Sequence, residues 1–152
     1  MAQTLVTDVA IIGAGPAGLF AVFECGMLKM RCVVIDTLEA IGGQCSALYP
    51  EKPIFDIPAH PRIEAATLIH QLEAQAAPFQ PTYLLGRRVE GLRALGDDFI
   101  LTTSAGDSVA ARAVIIAPVF HLACDHQAVP AAAGRAGPDL PTVPGDAGAV
   151  GA

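Results

Sequence analysis

The residues of this chain best suited to chemistry are three glycines in the string Gly13-Ala14-Gly15-Pro16-Ala17-Gly18 and an acid, Asp36. The chemistry they suit is the grip of a dinucleotide. Gly13 permits a tight turn, Gly15 removes the Cβ that would hold a pyrophosphate off the backbone, and Gly18 lets a following helix pack close to a strand. A helix opening at Pro16 presents unpaired N–H groups and a partial positive charge to that pyrophosphate, and the first turn has no use for the N–H that proline lacks. Asp36 follows the glycines by about 20 residues, where a carboxylate accepts hydrogen bonds from an adenosine ribose and repels a 2′-phosphate. The competing reading is a glycine turn that merely packs a helix on a sheet, with Asp36 a solvated strand end. The strand, helix and acid at their proper spacing favour the nucleotide.

Positioning those residues needs particular elements. A Val/Ile-rich run before Gly13 and a second, Cys32-Val33-Val34-Ile35, read as strands buried on both faces. Between them residues 16–29 read as a helix with Leu19, Val22, Phe23 and Met27 toward the sheet and Gly26 loosening its end. Residues 37–52 lack a period and read as loop, with one helical turn near Cys45 to Leu48, and long loops in compact domains are usually functional. Residues 54–58 suggest a short extended piece. The spacing predicts a helix over 61–76, with Ile63, Ala66, Leu68, Ile69 and Leu72 inward and Pro78 closing it. A strand at 82–86, a meander of 88–95, 99–104 and 108–110, and a last buried strand at 113–117 follow. The order implies an α/β Rossmann-like fold, three-layered, whose parallel sheet carries an inserted antiparallel meander.

With 152 residues the prior is one domain, and the net charge of −6 and pI near 5.0 argue against a nucleic-acid partner. No apolar run approaches the ~20 residues of a membrane helix, and no signal peptide opens the chain, so a cytoplasmic location is expected. Cys25, Cys32, Cys45 and Cys124 show neither C-x-x-C nor zinc-ligand spacing. Cys25 and Cys32 read as apolar packing, and Cys45, in a Gly-rich loop, as a neutral thiol lining a pocket. His60 reads as preceding a helix, His70 as structural, and Glu51 with Lys52 as an exposed pair of little consequence. Residues 118–152 are dominated by Ala, Gly and Pro without a period, and read as disordered. The Cys, His and Asp within 120–126 lack a ligand spacing, so no metal is assigned.

Three strings carry a resemblance: the glycine unit, Gly42-Gly43-Gln44 followed by Ala47-Leu48-Tyr49-Pro50-Glu51-Lys52, and Ile57-Pro58-Ala59. Together they resemble the thioredoxin-reductase-like class of bacterial ferredoxin/flavodoxin–NADP reductases, from about Thr7 to Ala117. The resemblance implies that 1–117 is the N-terminal part of an FAD-binding domain, incomplete without its NADP domain and closing FAD segment. Residues 118–152 resemble neither this family nor another domain, and their Ala/Gly/Pro bias, which a high-GC gene read out of frame tends to give, suggests a truncated or frame-shifted product. The resemblance implies FAD at Gly13, Gly15, Pro16, Ala17 and Gly18, with Asp36 on the adenosine ribose, Gln44 beside the isoalloxazine, Tyr49 stacked on it and Val89 meeting adenine through its backbone. NADP(H) would be the co-substrate and ferredoxin or flavodoxin the partner; a homodimer stays open, and no acid, base or nucleophile is required, since the cofactor carries the chemistry. Without the resemblance Tyr49 could equally anchor its loop. Two other functions stand beside this one: a pyridine-nucleotide flavoprotein with a quinone or dye-like acceptor, and a truncated FAD-binding piece without turnover.

Overall fold

The structure, a computed structural model, describes residues 4–117. The expectations for 118–152, the 120–126 cluster among them, lie outside the described residues.

Strand β1 (Thr4–Ile12) lies at the centre, with β2 (Cys32–Ile35) parallel on one side and β8 (Ser108–Ile116) parallel on the other. All four residues of β2 are buried, as a strand covered on both faces requires. β5 (Thr82–Leu84) extends the parallel part beyond β2, whereas β7 (Asp98–Thr103) and β6 (Val89–Leu95) continue it antiparallel beyond β8. The sheet order is β5-β2-β1-β8-β7-β6. One side chain set of the parallel strands (Val9, Ile11, Val34) packs with Val22 and Cys25 of the helical layer. The opposite set (Ala10, Val33, Ile35) packs with Leu101, Val109 and Ala111 of the meander. Helices, sheet and meander are therefore three layers.

The last two expected strands, 108–110 and 113–117, are one. β8 pairs with β7 through Ser108 to Ala111 while pairing with β1 from Ser108 to Ile116, so a single strand serves meander and parallel sheet. Because β2 and β8 flank β1 on opposite sides, the strand order reverses at the carboxyl end of β1. In open α/β sheets ligands bind at that switch point.

Helix α1 (Pro16–Met27) stops two residues before the expected end. Lys29 takes the left-handed conformation (φ 61°), Met30 N–H donates to Cys25 O at 3.0 Å and Lys29 N–H to Gly26 O at 2.9 Å, a Schellman closure with lysine where glycine is usual. Its buried residues are Gly18, Leu19, Val22 and Cys25; Met27, expected inward, is exposed because the turn carrying it has already left the sheet. Gly26 has a packing reason as well: the Phe79 ring takes the space a Cβ would fill there, 2.1 Å from where that Cβ would stand.

Helix α3 (Ala65–Ala76) begins four residues later than the spacing predicts. Ile63 and Glu64 instead form β4 (Ile63–Glu64), antiparallel to β3 (Pro53–Ile54). Ala65, Leu68, Ile69 and Ala76 are its buried residues, whereas Ala66 is exposed. Among the described residues no helix is long and apolar enough to cross a membrane.

Candidate functional site

The turn after β1 is built as the glycines suggest, but each glycine answers to a different constraint. Gly13 has φ 109°, which side-chain-bearing residues rarely adopt, and its N–H donates to Ile35 O at 2.8 Å, fastening the turn to the end of β2. A Cβ on Gly18 would sit 1.9 Å from the Gly13 carbonyl oxygen, so α1 can lie this close to the turn only with glycine there. Gly15, the N-cap, is extended (φ −76°, ψ −173°), a conformation open to any residue. Gly43 packs against it: a Cβ on Gly43 would come 3.3 Å from Gly15 Cα. No side chain caps α1 and no acid stands in its first turn, with Pro16 and Ala17 opening it. The first turn of the helix therefore carries no side-chain anion of its own.

Asp36 sits directly after β2, half-buried, beside this turn. Its Oδ2 accepts Ala14 N–H at 2.6 Å and its Oδ1 accepts Leu38 N–H at 2.8 Å. A carboxylate has about four acceptor positions, so two remain for ribose hydroxyls. Asp36 is thus a clamp on the glycine turn as well as a candidate ligand, a role its sequence position did not disclose.

The Gly42-Gly43 pair lies over the turn. Gly42 N–H donates to Ala14 O at 2.8 Å, and both glycines have positive φ (109° and 59°). A Cβ on Gly42 would meet Ser46 Oγ at 1.9 Å and Ile69 Cγ2 at 2.8 Å. From this contact α2 (Gln44–Ala47) leads to Tyr49, and a cavity of about 420 Å³ opens, lined among others by Gln44, Cys45, Tyr49, Lys52, Phe55 and Asp56. The Tyr49 loop is clipped to the start of α3: Lys52 O accepts Ala65 N–H at 3.0 Å and Pro50 O accepts Ala66 N–H at 2.9 Å. These carbonyls satisfy first-turn donors of α3 that no side chain caps, so helix and loop fix each other.

Val89 begins β6, the outer strand on its side of the sheet, at an irregularity between Val89 and Gly91. Arg87 N–H donates to Asp36 O at 2.8 Å, which carries the 87–89 segment to the Asp36 side of the turn. The Arg87 guanidinium bonds the Asp107 carboxylate and Leu85 O, and Thr103 Oγ1 also bonds Asp107. The structure therefore ties the glycine turn to Asp36 and to Gly42 through Ala14, ties Asp36 to Arg87, and sets Gln44 and Tyr49 on the wall of the cavity that follows.

Glu51 and Lys52 are no ion pair; Lys52 Nζ lies 5.9 Å from the centroid of the Tyr49 ring. Lys52, Phe55 and Asp56 are among the lining residues that sequence reasoning missed, because none belongs to a periodic element. His70 is exposed on α3, and His60 N–H bonds Ile57 O at 3.1 Å. Among the described residues no group of three or more His, Cys, Asp or Glu could hold a metal.

Cys25 and Cys32 are buried, whereas Cys45 is part-exposed on the cavity wall. Burial, reinforced by the neighbouring Cys25, pushes the Cys32 thiol up to about 12. A thiol held this far up stays protonated near neutral pH and is a poor nucleophile. In folded protein a maleimide should therefore label Cys45 at least ~10-fold faster than Cys25 or Cys32. Peptide mass mapping checks this, and the difference should vanish in concentrated urea.

Comparison with known proteins follows the same lines. The family model for an NAD(P)-binding Rossmann-like domain matches residues 11–61. Ferredoxin–NADP reductase of Gluconobacter oxydans (strain 621H) is 56% identical over 143 residues, 94% of this chain and 38% of that protein. Ferredoxin–NADP reductase of Acidiphilium cryptum (strain JF-5) is 57% identical over 145 residues, 95% of this chain and 39% of that protein. The chain thus spans less than two fifths of the length of these relatives, and the alignments run past Ala117, where the resemblance was expected to stop. Among solved structures, thioredoxin reductase from Streptococcus pyogenes superposes with a TM-score of 0.64 at 24% identity, covering 75% of this chain and 35% of that one. A cyclohexanone monooxygenase gives 0.62 at 20% identity, covering 76% and 27%. At these identities the likeness is one of fold.

Proposed function

We propose that this chain belongs with the ferredoxin–NADP reductases and that residues 4–117 are the FAD-binding part of an enzyme moving electrons between NADPH and ferredoxin. One observation carries the reading. The Gly42-Gly43 pair is docked on the Gly13–Gly15 turn, which supports a dinucleotide running from the Asp36 carboxylate at its adenosine ribose, past the uncapped α1 N-terminus at its pyrophosphate, toward the Gln44–Tyr49 cavity at its flavin ring.

The residues fit that group. The α1 N-terminus would hold the pyrophosphate, and the remaining acceptor positions of Asp36 the adenosine ribose. Gln44, able to donate and accept, would address the polar edge of the isoalloxazine, and Tyr49 would cover its face. Val89 would offer backbone groups to adenine. When bound, FAD supplies the hydride acceptance and single-electron release that protein side chains cannot. The protein's share is to bind, orient and shield. Flavodoxin is the alternative carrier, and the acceptor and NADP(H) chemistry belong to the whole protein.

The test is whether desalted protein retains flavin absorbance and whether calorimetry gives heat with FAD. FAD is expected to bind at least ~10-fold more tightly than FMN, which lacks the adenosine half that Asp36 would hold. Folded protein that gives no heat with either would end the proposal.

A further inference from the structure

Lys52 has no carboxylate within ion-pair distance among the described residues, yet its ammonium is not simply in water. It lies over the Tyr49 ring at 5.9 Å from the centroid, within the ~6 Å at which a cation is attracted by an aromatic face. The contact is set by the backbone. Lys52 N–H donates to Tyr49 O at 3.1 Å, closing a tight turn, and Lys52 O and Pro50 O are held by the first N–H groups of α3. A four-residue turn anchored at both carbonyls leaves little freedom in where Tyr49 and Lys52 stand relative to each other. Both line the same cavity, and Tyr49 is otherwise well exposed, so nothing on its outer side packs it in place.

We propose that Lys52 is the positioning residue for Tyr49: its ammonium occupies one face of the ring and keeps the other presented to the flat ring system of a bound flavin. The inference rests on the FAD reading of the cavity and adds to it the residue that orients the stacking partner. The physical reason is twofold. A free Tyr49 would lose side-chain entropy on stacking, and a ring already held by Lys52 has lost much of it before the ligand arrives. The cation also draws on the negative face of the ring. Arginine can do the same with a planar guanidinium, while methionine keeps the length of the stem and loses the charge.

The experiment compares wild type, Lys52→Met and Lys52→Arg in the full chain. By titration, Lys52→Met should bind FAD ~2- to 5-fold more weakly, as expected for an exposed cation–π contact. Its bound flavin should fluoresce more strongly, because a loosened Tyr49 quenches less. Lys52→Arg should restore both. A lysine serving only loop stability would shift the urea midpoint without changing bound-flavin fluorescence, and that result, or unchanged affinity and fluorescence in Lys52→Met, overturns the proposal. An independent reading needs no flavin. In the free protein the ε-methylene protons of Lys52 should be shifted upfield by the Tyr49 ring and return to ordinary values in Tyr49→Leu. Absence of that shift refutes the pairing itself, whereas failure of wild type to bind FAD with the shift present refutes only the flavin reading.

Discussion

Gly18→Ala should cost about 1–2 kcal/mol of stability and abolish measurable FAD binding, although alanine is the better helix former. Helix propensity alone favours alanine at an interior position by about 1 kcal/mol. Against it stands a Cβ placed 1.9 Å from the Gly13 carbonyl oxygen and 3.6 Å from Ile11 Cγ2. Because the first of these is backbone, and that backbone is pinned by Gly13 N–H to Ile35 O, the turn has no side-chain freedom with which to give way. Overpacking of this kind costs about 1–3 kcal/mol and sometimes more, so the clash wins. Gly26→Ala is the informative contrast. Its Cβ would overlap the Phe79 ring at 2.1 Å, a side chain on the short turn at Ala77–Phe79 that can swing aside, so the loss there should be smaller. Urea unfolding of the two variants checks the ranking. A Gly18→Ala protein as stable as wild type would mean that α1 does not approach the turn as described.

That contrast marks what the sequence disclosed. The role of Gly18 was legible because a glycine three residues past Gly15, at the head of a helix, has a local meaning that tertiary context only has to accept. The packing role of Gly26 was not legible because its partner, Phe79, is more than fifty positions away and reaches it only once α3 has folded back onto α1. The same long-range logic moved the start of α3. Pro61 looked like a first helical residue, but Pro53 and Ile54 claim Ile63 and Glu64 for a ladder, and the carbonyls of Pro50 and Lys52 then set the helix start at Ala65. β8 was divided in two because its first half suits a meander and its second a parallel sheet; that one strand does both is a property of topology, invisible in local pattern. The site divides similarly. Gly13, Gly18 and Asp36 announced themselves by type and spacing, whereas the clamp made by Asp36 and the stacking of Lys52 on Tyr49 depend on how loops are docked.

Asp36→Asn separates the two jobs assigned to that residue. The carboxylate accepts one backbone N–H on each oxygen, from Ala14 and from Leu38. An asparagine can offer an acceptor to only one of them and must turn an N–H₂ group toward the other donor. Hydrogen bonds to charged groups contribute about 1.5–3 kcal/mol each, so loss of one, with a donor left facing a donor, predicts a fall of about 2 kcal/mol in unfolding free energy without any ligand. If Asp36 also holds the adenosine ribose, FAD affinity falls by ~10-fold or more on top of that, since a charge-assisted acceptor for the hydroxyls is gone. FMN distinguishes the causes: it has no adenosine ribose, so its weaker binding should be lost only to the extent that the glycine turn is disturbed. A loss for FAD well above that for FMN assigns Asp36 to the ribose. Equal losses for the two would mean that Asp36 serves the nucleotide only by holding Ala14 and the turn in place, and the ribose contact would have to be withdrawn.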